Sequence, residues 1–518
     1  MRKTLLFIAV VAVGAAAVGC SSKGNKMKIK TLPYPETVKQ DIVDDYHGTP
    51  VADPYRWLED DNSAETAAWV KAQNEVTFDY LSQIPYRDKI RQRLTELWNY
   101  EKIGMPHKVG DRYFFFKNDG LQNQSVLYVM NSIDDPEPQV FLDPNTFSQD
   151  GTKALVSTTF SEDGKYLAYS VSNAGSDWVE IFVKKIPSGE MAPDVIKWVK
   201  FSGANWDADS KGFYYSAYDE PAKGSELSGQ NRFQKVYYHA LGTDQSKDRL
   251  IYKDDKNPLR YFHGMDDGDK GKWLFVSGSE GTHGTELLYR RADVTGPFKV
   301  LFPGFKYDYG IAHVKDDVAY VYTNDNAPNY RLAMIDLSDP KGGLVDVIPE
   351  NTDNLLEGAS FVGGYIMAKY LEDAMSKVYQ YDMEGSLVRE VSLPTIGTAG
   401  GFGGKEEYTE TFYALTNFIA PSSIYRYDLA TGVSTLYAQP ELTYDPDLFV
   451  AEQVFFTSKD GTQVPMFLTH RKDIKLNGKN TVYLYGYGGF NISVTPNFNP
   501  TQIAHIEQGG IYAVVTLR

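Results

Sequence analysis

The feature that most limits the fold is a strand-like aromatic segment that recurs seven times at near-constant spacing. The segments are Tyr113-Phe-Phe-Phe, Tyr166-Leu-Ala-Tyr, Phe213-Tyr-Tyr, Trp273-Leu-Phe-Val, Val318-Ala-Tyr-Val-Tyr, Tyr365-Ile-Met-Ala and Phe412-Tyr-Ala-Leu. Their first residues are 53, 47, 60, 45, 47 and 47 positions apart. Most follow a turn containing Asp or Gly, such as Gly110-Asp111, Asp163-Gly164 and Asp267-Gly268. A second strand-like run comes after each, for example Val126-Leu-Tyr-Val and Ile424-Tyr-Arg-Tyr. β-branched and aromatic runs between tight turns are strand signals. A repeat of about 50 residues with several strands per unit is that of a β-propeller. Seven units predict seven blades over residues 101–443. A lone blade leaves its apolar faces bare, so the ring must close to be stable. Two sandwiches are the all-β alternative, which the regular spacing disfavours.

The flanks read differently. From 63 to 98 apolar residues interleave with charges in a helical pattern that Pro85 interrupts. After the ring, Val454-Phe-Phe-Thr-Ser-Lys-Asp-Gly-Thr-Gln-Val-Pro is a hairpin turning at Asp460-Gly461. Thr481-Val-Tyr-Leu-Tyr485 and Gly510-Ile-Tyr-Ala-Val-Val-Thr516 are apolar without alternation, the pattern of strands buried in an α/β sheet. The expected organisation is therefore an address over 1–20, a helical part over 21–100, the propeller over 101–443 and the start of an α/β domain over 444–518. The last of these strands is expected to leave an unpaired sheet edge at the chain's end.

The address begins with Arg2 and Lys3, followed by an apolar run over 5–18. That run is too short to cross a bilayer as a helix, which takes about 20 residues. A charged start, a short apolar middle and small residues at the end form a secretory signal. Ala17-Val18-Gly19-Cys20 resembles a bacterial lipobox, in which the cysteine is lipidated and becomes the mature N-terminus. Cys20 is the single cysteine of the chain, which excludes an intrachain disulfide and a cysteine-based zinc site. The expectation is a lipid-anchored protein of the bacterial cell envelope with a mature charge of 50 − 68 = −18. Even the full chain carries −16, which excludes nucleic-acid binding through a basic surface.

Chemistry is sparse by motif. There is no G-x-S-x-G, H-E-x-x-H or G-x-x-x-x-G-K-[ST]. The eight histidines are scattered, and none is paired at metal-ligand spacing. Asp207-Ala-Asp209 opens like a calcium loop, but Lys211 and Tyr218 fall where oxygen ligands are needed. No metal or cofactor is expected. The informative stretch is Tyr485-Gly-Tyr-Gly-Gly-Phe490. Glycines after a strand let the backbone turn sharply and approach a ligand. In α/β-hydrolases such a strand-to-helix loop supplies an oxyanion donor. A Tyr487 hydroxyl there would hold the oxygen of a tetrahedral intermediate, worth about 3 kcal/mol of barrier. A glycine-rich turn with a packed tyrosine fits the spacing equally well.

Several stretches carry a resemblance to a known family. Tyr46-His-Gly, Asp53-Pro-Tyr-Arg-Trp-Leu-Glu-Asp60, Gly120-Leu-Gln-Asn-Gln124, Phe160-Ser-Glu-Asp-Gly164, Gly175-Ser-Asp-Trp178, Leu241-Gly-Thr-Asp-Gln245, Pro328-Asn-Tyr-Arg331 and Leu484-Tyr-Gly-Tyr-Gly-Gly-Phe-Asn-Ile-Ser493 resemble prolyl oligopeptidase. The resemblance runs from about Tyr34 onward. It implies a mainly β protein with an α/β part: a seven-bladed β-propeller inserted in an α/β-hydrolase domain. The implied activity is that of a serine endopeptidase acting on the carboxyl side of proline in short peptides, with the propeller as a size filter. By motif, Tyr487 matches the family's oxyanion tyrosine and Phe490 an apolar wall of the proline pocket. A monomer without cofactor is expected. The family's serine, aspartate and histidine have no counterpart in these residues, so this chain, incomplete in its hydrolase domain, is expected to be inactive alone. The alternative is a lipid-anchored propeller that binds without catalysis. A propeller glycosidase would need paired carboxylates at a central site, and nothing in the sequence points to them.

Overall fold

The computed structural model describes residues 32–227, 229–268, 270–490 and 492–516. The signal and lipobox reading, Cys20 included, falls outside the described residues. Two compact units divide the chain, Met1–Arg91 and Gln92–Arg518.

In the first unit, a hairpin pairs Val43–Tyr46 with Thr49–Ala52. Arg56 ties it to the following turn through Asp44 and Asp53. Helix α1 (Ala64–Ser82) starts at Ser63, whose hydroxyl accepts from the Thr66 N–H at 3.1 Å, a side-chain cap that satisfies an otherwise orphaned donor. Helix α2 is Arg87–Trp98, and the boundary between the two units falls within it. The helical spacing therefore gives two helices rather than one. The interruption surrounds Pro85, which lacks the N–H that a continuous helix would require there.

The second unit is dominated by seven blades, each a four-stranded antiparallel meander whose strands follow one another in sequence. They occupy 102–142, 153–200, 205–253, 261–302, 309–348, 355–390 and 398–438. Blade 1 carries one extra short pairing, and the second and third blades share one continuous sheet. Every recurring aromatic segment is the second strand of its blade. In most blades that strand is the most buried, as in Tyr166–Asn173 and Gly212–Ala217. The Asp/Gly turns before these segments join the first strand of each blade to the second.

The core lies between blades rather than within them. Phe213, Tyr215, Ile181 and Ile196 pack blade 2 on blade 3. Phe275, Tyr289, Val321 and Ile335 join blades 4 and 5. Leu332, Ile366 and Tyr370 join 5 and 6, and Met367, Val378, Tyr413 and Tyr427 join 6 and 7. Each fully buried large apolar side chain contributes about 1.5–3 kcal/mol, so the ring is held by its six interblade seams and its closure. At the closure no strand is shared. Blade 7 donates to blade 1 from Tyr437 Oη to the Ile133 carbonyl at 3.1 Å and from Tyr408 Oη to the Lys108 carbonyl at 3.2 Å.

The last segment forms a four-stranded sheet of β1 (Phe449–Thr457), β2 (Gln463–Arg471), β3 (Val482–Gly486) and β4 (Ile511–Val515). The order is β1-β2-β4-β3. β3 and β4 are parallel, with Val482 opposite Ile511 and Gly486 opposite Val515. Helix α3 (Pro500–Ile506) connects them, making a βαβ crossover. Leu97 of α2, Phe449, Phe467, Ile503, Tyr512 and Val514 form its core together with Phe418 from blade 7. Arg93 clamps Glu507 through two hydrogen bonds at 3.0 and 2.6 Å.

Two expectations about this sheet are corrected. β3 is not buried: Val482, Tyr483 and Leu484 are 52%, 58% and 65% exposed. β4, the later strand, is not the edge. It lies between β2 and β3, and the edges are β3 and, at the other end, β1. An apolar run without alternation marks a strand suited to cover on both faces, but neighbours elsewhere in the chain decide whether the cover is present.

Candidate functional site

The loop after β3 leaves the C-terminal end of a parallel strand, the place where open α/β sheets present ligand-binding groups. Tyr487 is 40% exposed and Phe490 72% exposed. The Tyr487 ring lies against Gly489, where an added Cβ would stand 3.4 Å from the hydroxyl. Among the described residues the Tyr487 hydroxyl makes no hydrogen bond, so its proton is free to be donated to a ligand. Phe490 adopts φ +55°. Left-handed backbone at a bulky residue costs about 1–3 kcal/mol and persists where surroundings or function demand it. Here it leaves a large apolar ring in solvent. Behind the loop, Tyr512 of β4 stacks on Tyr483 at 5.7 Å, and burial, with Tyr485 and Tyr483 nearby, pushes its phenol up to about 12. It stays neutral at physiological pH and packs on the strand that leads into the loop. Tyr487 and Phe490 thus lie on one stretch of chain after β3, both exposed.

A second feature is the channel at the centre of the ring. A cavity of about 690 Å³ is lined by residues from all seven blades, from His107–Gly110 of blade 1 to Gly404 and Tyr408 of blade 7. Its mouth is crossed by the blade 7 turn Gly403-Gly-Lys-Glu-Glu-Tyr408. Lys405 Nζ pairs with Glu162 of blade 2 at 3.2 Å, passing over blade 1. Glu406 pairs with Lys315 of blade 5 at 2.5 Å, passing over blade 6. The Gly363 N–H of blade 6 donates to the Lys405 carbonyl at 3.0 Å. Gly363 has φ +61°, and a Cβ there would lie 2.5 Å from the Tyr408 carbonyl oxygen. Only glycine lets the turn lie this close. Burial, then Lys405, pull the His107 imidazole below its ordinary value. Burial pushes Asp266 up to about 6. The mouth is therefore narrowed by charged side chains held in pairs.

Sequence reasoning missed this strap, although its signal is visible as two glycines followed by Lys-Glu-Glu between two blade strands. It also missed His239, which is wholly buried. Its Nδ1 lies 2.7 Å from Asp248 and its Nε2 2.9 Å from Asp194. No serine completes that arrangement, and the node joins blade 2 to blade 3 rather than facing a cleft. Among the described residues, no three His, Cys, Asp or Glu side chains are placed to hold a metal ion.

Comparison with known proteins agrees with this architecture. The family described as the prolyl oligopeptidase N-terminal beta-propeller domain matches residues 34–440. A prolyl endopeptidase of Elizabethkingia miricola is 43% identical over 519 aligned residues, covering all of this chain and 72% of the relative. A dual-function macrocyclase-peptidase of Galerina marginata is 32% identical, over 94% of this chain and 71% of its own. A solved structure from a study of two prolyl endopeptidases and their inter-domain dynamics superposes with a TM-score of 0.87 at 34% identity, covering 94% of this chain and 71% of that one. With the propeller, the βαβ unit and full-length similarity in agreement, the chain belongs to the prolyl oligopeptidase family of serine peptidases.

Proposed function

We propose that this chain supplies the propeller and the oxyanion loop of a serine endopeptidase that cuts short peptides on the carboxyl side of proline. The observation that carries the reading is the unengaged Tyr487 hydroxyl on the turn after β3, three residues before the exposed Phe490. When a nucleophile attacks the carbonyl after proline, negative charge develops on its oxygen. A phenol N-terminal to two flexible glycines can donate a hydrogen bond to that charge. Such a donor acts mainly in the transition state and so raises kcat. Phe490 offers an apolar wall for the pyrrolidine ring. The propeller restricts access, because a folded protein is far wider than a channel of this volume whose mouth the charged strap narrows.

The test uses the chain completed with the segment of the Elizabethkingia miricola relative that it does not cover. Peptides with a single internal proline are digested and the products weighed by mass spectrometry. Cleavage should follow proline and vanish when that proline becomes alanine. Cleavage without regard to proline would refute the reading.

The N-terminus carries a separate proposal: lipidation at Cys20 anchors the protein to the bacterial envelope, where it acts as a monomer. The Ala17-Val18-Gly19-Cys20 motif behind a charged, short apolar run supports it. Cys20→Ser should abolish incorporation of radiolabelled lipid and release the protein from membranes; unchanged fractionation would overturn it.

A further inference from the structure

Blades 3 and 4 meet at a groove of about 610 Å³ that shares no lining residue with the central channel, and its charges are out of balance. Lys247 and Arg249 line it from blade 3 and Arg290 from blade 4. Neither arginine has a carboxylate partner among the described residues. Arg249 stacks over the Tyr238 ring at 5.1 Å. Arg290 stacks over Phe298 at 4.5 Å and donates from Nη1 to the Gly296 carbonyl at 2.6 Å. Its Nε–H is buried with no acceptor. The neighbouring Arg260, in contrast, is matched by Asp254, Glu280 and Glu286. In a chain with 68 acidic and 52 basic side chains, two unmatched guanidiniums on one groove are unexpected.

The acidic residue in the lining does not answer them. Asp207 already accepts from the Lys211 N–H, the Gly212 N–H and Tyr238 Oη, the last at 2.6 Å. Tyr214 also reaches the groove. It is 5% exposed, yet its hydroxyl makes no hydrogen bond with any described residue. The buried donor without an acceptor is the Arg290 Nε–H, and such a donor costs roughly 1–3 kcal/mol, so native structures rarely leave one empty. The two guanidiniums also disfavour one another's charge: burial, then Arg249, lower the Arg290 pKa. Leu250, Ile251 and Leu274 give the same groove apolar walls.

We propose that this groove binds a small organic molecule through a phosphate or carboxylate group, held by Arg249 and Arg290 with the Tyr214 hydroxyl, and so bridges blades 3 and 4. A planar guanidinium fork suits either oxyanion, and the apolar wall receives the body of the ligand.

Isothermal titration and thermal melting at constant ionic strength, with phenyl phosphate, phenylacetate, inorganic phosphate and sodium chloride as probes, test this. One of the phenyl probes should bind in the millimolar range or tighter, on the order of 1 mM, and more tightly than inorganic phosphate. Which of the two binds identifies the group as phosphate or carboxylate. Arg290→Gln should weaken binding about tenfold or more, as for loss of a charge-assisted pair. Arg249→Gln, at an exposed position, should do the same without changing the melting temperature of the unliganded protein. Tyr214→Phe should weaken it less. No binding by either phenyl probe, or equal binding by wild type and Arg249→Gln, would overturn the proposal.

Discussion

Tyr487 and Phe490 are three residues apart, yet their backbones settle differently. Phe490 takes left-handed φ +55°, whereas Tyr487 does not. The glycines at 486, 488 and 489 are not among the left-handed residues, so that conformation falls on Phe490 itself. Their grouping made this loop recognisable in the sequence. What the sequence could not show was that the loop and the strand before it are largely exposed, because exposure depends on neighbours contributed from elsewhere. In the completed protein, Tyr487→Phe should lower kcat on a proline anilide roughly a hundredfold, as for loss of one oxyanion donor, with KM changed far less. A matched loss in KM with kcat intact would show that the hydroxyl binds substrate rather than the transition state.

At the scale of elements, the legible and the hidden parts of the fold separate by range. The second strands of the blades were readable because each is a local aromatic run bounded by local turns. The residues that carry the family resemblance turn out to be mostly joints between elements. Gln124 donates to the Lys153 carbonyl and accepts from the Leu155 N–H, tying blade 1 to blade 2. In Leu241-Gly-Thr-Asp-Gln245, the Gly242 N–H donates to Asp194 and Gln245 accepts from the Lys197 N–H. None of these partners is near in sequence, so no local pattern announces them.

The His239 node has a measurable consequence. Burial alone would pull its pKa down, but the hydrogen bonds to Asp194 and Asp248 outweigh this and raise it to about 9. A histidine raised above its unfolded value of about 6.5 stabilises the fold fully below that pH. That contribution fades as pH climbs through about 9, where the proton is lost. Melting temperature should fall between pH 7 and 10, and His239→Gln should show a shallower fall than wild type. Equal slopes in the two proteins would mean that His239 does not carry the charge.

For the whole molecule, seven similar blades close without a shared strand. The closure rests on side-chain contacts between blades 7 and 1 and on the strap across the channel. The strap's two ion pairs are partly exposed, and exposed pairs are weak and screened by salt. It is thus easier to move than any interblade seam. Lys405→Met combined with Lys315→Met should speed hydrogen exchange at residues 404–408 while leaving the blade strands protected. In the completed protein it should raise the rate on long peptides relative to short ones. High salt should move the wild type in the same direction. Unchanged exchange at 404–408 would show that the pairs do not hold the strap.

The proposed function divides the labour: these residues would bring the filter and the oxyanion donor, and other residues the attacking serine and its base. An oxyanion donor acts only on charge that an attacking group creates, and a triad stripped of its nucleophile retains little catalysis. The direct measurement is hydrolysis of a chromogenic glycyl-proline anilide by the pure 518-residue chain and by the completed protein, each with and without a serine-reactive inhibitor. The completed protein should cleave it and be silenced by the inhibitor, while the 518-residue chain should show no inhibitor-sensitive activity. Robust inhibitor-sensitive cleavage by the 518-residue chain, or none by the completed protein, would contradict it.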